Sequence, residues 1–148
     1  MEATDTKVPS IAGWLGGLGA VPFVGLAGAL PFLTGTPRLF VARALLAYGA
    51  TILSFLGGVH WGMAMRSGPD TGKLPAGLIV SVIPSLAGWA ALLIGEPSGL
   101  LLLALAVAAM LPVDIRASRA GLAPPWYAKL RIPLSCVVVA TLLFGAIL

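Results

Sequence analysis

The chain has 148 residues, of which 59% are hydrophobic and only 9% charged, and its mean hydropathy is +1.03. A soluble domain carries about 25% charged residues, so these values exclude a water-coated surface and point to lipid as the solvent of one small helical bundle. The formal net charge of +4 comes from basic residues placed between apolar runs rather than from a basic stripe interleaved with aromatics. That placement excludes nucleic acid as a partner and suggests topology signals and contacts with anionic lipid headgroups.

Residues 1–10 read as a polar tail. Glu2, Asp5 and Lys7 mix signs there, which fits neither a secretory signal nor a transit peptide. The first apolar run covers residues 11–33. It carries Pro22 near its middle, which predicts a kink, and small pairs at Gly13/Gly17 and Gly25/Ala29, a spacing that lets membrane helices approach closely. The second run, 39–65, exceeds the roughly 20 residues that a bilayer core needs and places Arg43 near the headgroups. The third, 74–94, contains Pro84. The fourth, 99–115, and the fifth, 132–148, are short for spans. Between them lies the longest polar stretch, in which Pro124-Pro125-Trp126-Tyr127-Ala128-Lys129-Leu130-Arg131 predicts a short interfacial helix over 125–131. The single cysteine, Cys136, falls in an apolar run and reads as a small packing residue.

The expected fold is therefore all-α: a single membrane-embedded domain, 11–148, of about five transmembrane helices. Five spans put Lys7, Arg66, Lys73, Arg116, Arg119, Lys129 and Arg131 on one side and leave Arg38 and Arg43 on the other. Positive charge favours the cytoplasmic side, which predicts the N-terminus inside and the C-terminus outside.

No recognised catalytic kit appears: no phosphate-binding Gly loop with Lys, no nucleophile elbow, no zinc-protease helix and no cysteine pair. Neither metal nor cofactor is expected. Arg43 and Glu96 fall at the outer ends of neighbouring spans and are expected to pair. Gly58 and Gly62, with Gly57 beside them, predict a tight helix crossing; a flat wall beside Trp61 for a ring-shaped ligand is the alternative. His60 is the sole histidine. It reads as a hydrogen-bonded structural side chain, as a titrating or ligand-binding group, or as a metal or haem ligand helped by Met63 or Met110. The inner ends of three spans bring His60, Asp114 and Arg131 to one depth, with Trp61, Trp126 and Tyr127 beside them. Asp114 at a helix C-terminus opposes the helix dipole and needs a cationic or donor partner, so an Asp114–Arg131 pair with His60 nearby is expected.

The stretch Tyr48-Gly49-Ala50-Thr51-Ile52-Leu53-Ser54-Phe55-Leu56-Gly57-Gly58-Val59-His60-Trp61-Gly62 resembles the signature of a small family of membrane proteins of unknown function. Pro31-Phe32, Ile83-Pro84-Ser85-Leu86 with Trp89, Asp114, and Trp126-Tyr127 with Leu130-Arg131 extend the resemblance over most of the chain. That family includes bacterial inner-membrane proteins and a mitochondrial relative, transmembrane protein sixty-nine. The resemblance implies a multi-helix membrane protein and no particular activity, and the N-terminus is similar to that of bacterial members, which implies the bacterial inner membrane. Two functions are weighed. One is a non-catalytic scaffold, assembly factor or accessory subunit, with a membrane-protein partner or a homo-oligomer. The other is a small carrier or binding protein for a quinone- or lipid-like ligand at the His60/Asp114/Arg131 cluster.

Overall fold

A computed structural model describes residues 7–66 and 74–148. Its helices are α1 (Ser10–Ala29), α2 (Gly35–Arg66), α3 (Leu74–Ile94), α4 (Ser98–Arg119) and α5 (Pro125–Ile147), with a 3₁₀ turn, Leu30–Phe32, after α1. All five are long and apolar enough to cross a membrane, and in hydrocarbon a helix is the economical choice because it satisfies its own backbone donors and acceptors. The two runs that looked short are full helices. α4 continues past Asp114 to Arg119, and α5 starts at Pro125 rather than at 132.

The expected interfacial helix over 125–131 is therefore the first two turns of α5 and not a separate element. The physical reason lies in its inward face. Tyr127 and Arg131 are buried against α4, so this segment packs into the bundle instead of lying along a headgroup layer. Nor do the prolines break their helices: Pro22 and Pro84 sit inside continuous α1 and α3. Near Pro22, the Tyr48 hydroxyl donates to the Gly19 carbonyl at 2.9 Å. A neighbouring helix thus supports the backbone where proline weakens its ladder.

α2 is the central helix and touches the other four. Its buried stripe runs Ala42, Leu45, Gly49, Leu53, Gly57, His60 and Ala64, at steps of three and four residues that keep one face turned inward. Against α3 this stripe is zipped by small residues in antiparallel register. Gly77 meets Ala64, Gly57 meets the Ser81 carbonyl, and Gly88 meets the Ala50 backbone. Ala50, Gly57 and Ala64 recur every seven residues, the period at which two helices stay in contact. Phe23, Leu45, Leu53, Leu100, Leu103, Val107 and Leu142 fill the core between α1, α2, α4 and α5.

The glycine expectation needs correction. A side chain at Gly58 or Gly62 would meet open space, as it would at Gly13, Gly17 and Gly25; Gly57 makes the close crossing. One residue is about 100° of helix rotation, which separates Gly57 facing α3 from Gly58 facing outward. Cys136 is likewise exposed on α5 and is not a packing residue.

α3 and α4 end at Gly95 and Gly121, whose φ values are +76° and +72°. This left-handed conformation terminates a helix while its last carbonyls stay bonded: after α4, the Leu122 and Ala123 amides both donate to the Ala117 carbonyl. The resulting short turn delivers the chain directly into α5 and fixes the approach of Tyr127 and Arg131 to α4.

Candidate functional site: a buried carboxylate with three donors

Three helices contribute the polar side chains, each from its buried stripe. On α4 the inward positions are Leu103, Val107, Met110, Asp114 and Ala117. Asp114 thus inherits an orientation set by the apolar residues preceding it, and its exposure is 0%. On α5 the inward positions are Tyr127, Arg131, Ser135, Val138 and Leu142, so Tyr127 and Arg131 lie one turn apart on one face. His60 is next after Gly57 on the α2 stripe.

The three stripes converge on the Asp114 carboxylate. His60 Nε2 lies 2.7 Å from Asp114 Oδ1, and the Tyr127 hydroxyl donates to the same oxygen at 3.3 Å. Arg131 Nε donates to Asp114 Oδ2 at 2.8 Å. A carboxylate only accepts, so His60 must carry its proton on Nε2 here. Arg131 and Asp114 form a buried pair of opposite charges, the arrangement that makes burial of either charge tolerable. The contact uses only Nε rather than a two-pronged fork, and Arg131 Nη2 is buried with no hydrogen-bond partner among the described residues. The Ser135 hydroxyl, one turn further along α5, is buried and likewise has no partner among the described residues.

Ala117, Ala123 and Tyr127 form a small apolar cluster on this side, with Val59, Met63 and Trp126 packed against it. The Trp126 ring meets Tyr127 edge-on, centroids 6.4 Å apart. Trp61 turns the other way and is 43% exposed, so it is not part of the cluster. Arg43 and Glu96 do not form an ion pair: Arg43 lies on the exposed face of α2, while Glu96 lines a shallow cleft with Arg38 and Leu39. Arg43 and Arg38 are five residues apart, which puts them on different helix faces, and only Arg38 faces the α3–α4 turn. Sequence reasoning missed Ser135. Its signal was its position, four residues after Arg131 on the same stripe.

Beside the cluster lies an apolar cavity of about 300 Å³ between α1, α2 and α5, lined among others by Gly16, Gly19, Phe55, Trp126, Tyr127 and Arg131. Leu15 and Phe55 line it and are also exposed, so it opens between α1 and α2 toward the outer surface of the bundle.

A family model described as protein of unknown function (DUF3429) matches residues 8–147. Transmembrane protein 69 of Xenopus tropicalis is 38% identical over 143 residues, which cover 90% of this chain and 53% of that protein. Transmembrane protein 69 of Mus musculus is 36% identical over 83 residues, covering 50% of this chain and 34% of that protein. The chain thus corresponds to about half the length of the Xenopus relative. No solved structure matches.

Proposed function

This chain belongs to the DUF3429 family of membrane proteins of unknown function, and on that premise we propose that it works without catalysis, as a scaffold, assembly factor or accessory subunit of a membrane complex. The observation that carries this reading is the engagement of Asp114. Both carboxylate oxygens are held by donors from two other helices, and the group is fully buried. A carboxylate so engaged is suited to clamping α2, α4 and α5 together rather than to exchanging protons with a substrate. The outward face of α1 supports a partner within the bilayer. Gly13 and Gly17 line a shallow groove there with Trp14, Leu18 and Val21, and a Cβ added at either glycine would meet nothing within 4 Å among the described residues. Each glycine costs a helix about 1 kcal/mol relative to alanine. Close approach of a helix from another membrane protein would offset that cost.

The proposed setting is the bacterial cytoplasmic membrane, from the resemblance to bacterial members of the family, and the proposed orientation has the N-terminus inside, from the basic residues at one set of helix ends. Purification in mild detergent or native nanodiscs tests the accessory reading. A partner at fixed stoichiometry is expected, released when Gly13 and Gly17 are both changed to Leu. A monodisperse monomer that never associates would overturn it.

A second reading, binding of a lipid- or quinone-like molecule, is favoured by one observation: the cavity beside Arg131.

A further inference from the structure

We propose that the cavity between α1, α2 and α5 binds a single-chain amphiphile through a carboxylate head, which docks on the free edge of the Arg131 guanidinium. This inference rests on the second reading above and gives its ligand a chemistry.

Three observations select the head. Arg131 lines the cavity, is only 7% exposed, and spends Nε alone on Asp114. Nη2 is buried and has no partner among the described residues. A buried guanidinium with unfilled donors calls for an acceptor, and the unused Nη edge presents two parallel N–H directions that match the two oxygens of a carboxylate. A single quinone carbonyl would fill one and leave the other unmet. Among the described residues, Arg131 is the one charged side chain in the cavity lining. α1 adds no charge to the lining, which from that helix consists of Ala12, Leu15, Gly16, Gly19, Ala20 and Phe23.

The rest of the cavity selects the tail. Away from Tyr127 and Arg131 every lining side chain is apolar or a glycine. Its volume of about 300 Å³ sits at the low end of ligand sites, which run from about 300 to 1,000 Å³. That is room for a small head and the start of one chain, not for a two-chain phospholipid. The mouth between Leu15 and Phe55 lets the remaining chain leave between α1 and α2 into hydrocarbon.

The test uses the full chain in phosphatidylcholine nanodiscs, with Trp14, Trp61 and Trp89 changed to Phe so that Trp126, in the cavity wall, is the sole tryptophan. Dibrominated stearic acid should quench Trp126 saturably, at least tenfold below the concentration needed with the alcohol of the same chain. Gly19→Phe fills the cavity from a position where an added Cβ meets nothing within 4 Å, and it leaves Arg131 and Asp114 untouched. It should abolish the saturable quenching while the protein stays folded. Equal quenching by acid and alcohol, still lost in Gly19→Phe, would overturn the carboxylate assignment and leave the cavity reading standing. So would displacement of the acid by an equal concentration of decylubiquinone. Quenching that Gly19→Phe does not change would overturn both.

Discussion

Replacing Asp114 by Ala tests the clamp most directly. The substitution leaves the Arg131 guanidinium, 7% exposed, without its counter-ion, and takes an acceptor from His60 and Tyr127. Breaking a buried ion pair by removing one partner costs about 3–5 kcal/mol. The two orphaned neutral donors would each add about 1–3 kcal/mol if nothing relaxed. Those terms share one site and overlap, because Tyr127 lines the cavity and can turn toward it, so the expected loss is about 4 kcal/mol. At about 1.4 kcal/mol per tenfold, that is roughly a thousandfold in the unfolding equilibrium, a large share of a typical stability of about 5–15 kcal/mol. Steric-trapping or SDS-unfolding titrations of the purified protein in mixed micelles would measure it. The double variant Asp114→Leu/Arg131→Met separates a clamp from a generic core effect. It removes both charges together and should recover most of the loss, since apolar replacement of a whole buried pair is often neutral or better. An Asp114→Ala protein within about 0.5 kcal/mol of the original would refute the reasoning. Additive losses for the Asp114 and Arg131 changes would refute it as well, because groups in one network must couple.

Other changes probe separate parts of the argument. Tyr127→Phe removes one donor from Asp114 Oδ1 and should cost about 0.5–1.5 kcal/mol in the same titration, with His60 and Arg131 still holding the carboxylate. Gly57→Ala drives a methyl into the Ser81 carbonyl of α3 and should cost about 1–3 kcal/mol. Gly58→Ala and Gly62→Ala, which meet open space, should be neutral or stabilising by about 0.5–1 kcal/mol; equal losses at all three positions would show that the α2–α3 register is wrong. Arg43→Gln should leave stability within about 0.5 kcal/mol, since Arg43 has no ion-pair partner among the described residues; a larger loss would reveal one. A reporter active only in the cytoplasm, fused after Leu148, should stay silent, whereas a strong signal there would defeat the proposed orientation.

The membrane class, the five helices and the depth of the polar groups were legible in the sequence. Each depends on local quantities. A span is a run of apolar residues long enough for hydrocarbon, and the alternation of spans places His60, Asp114 and Arg131 near the same end of the bundle. What the sequence left open was rotation. Lipid is as apolar as leucine, so a membrane helix carries little hydrophobic contrast between its inner and outer faces. Gly57, Gly58 and Gly62 look alike as small residues, and only packing against the Ser81 backbone turns Gly57 inward and leaves the other two outside. The same ambiguity made Trp126-Tyr127 look like a headgroup anchor, when Tyr127 in fact faces Asp114 from within a continuous α5. It also made Arg43 and Glu96 look like partners because they share a depth. The tertiary structure decided these points because helix phase in a bilayer is set by non-local fits, a methyl-sized gap against a carbonyl and three donors around one carboxylate. Nothing in a single span's composition records which neighbour will supply them.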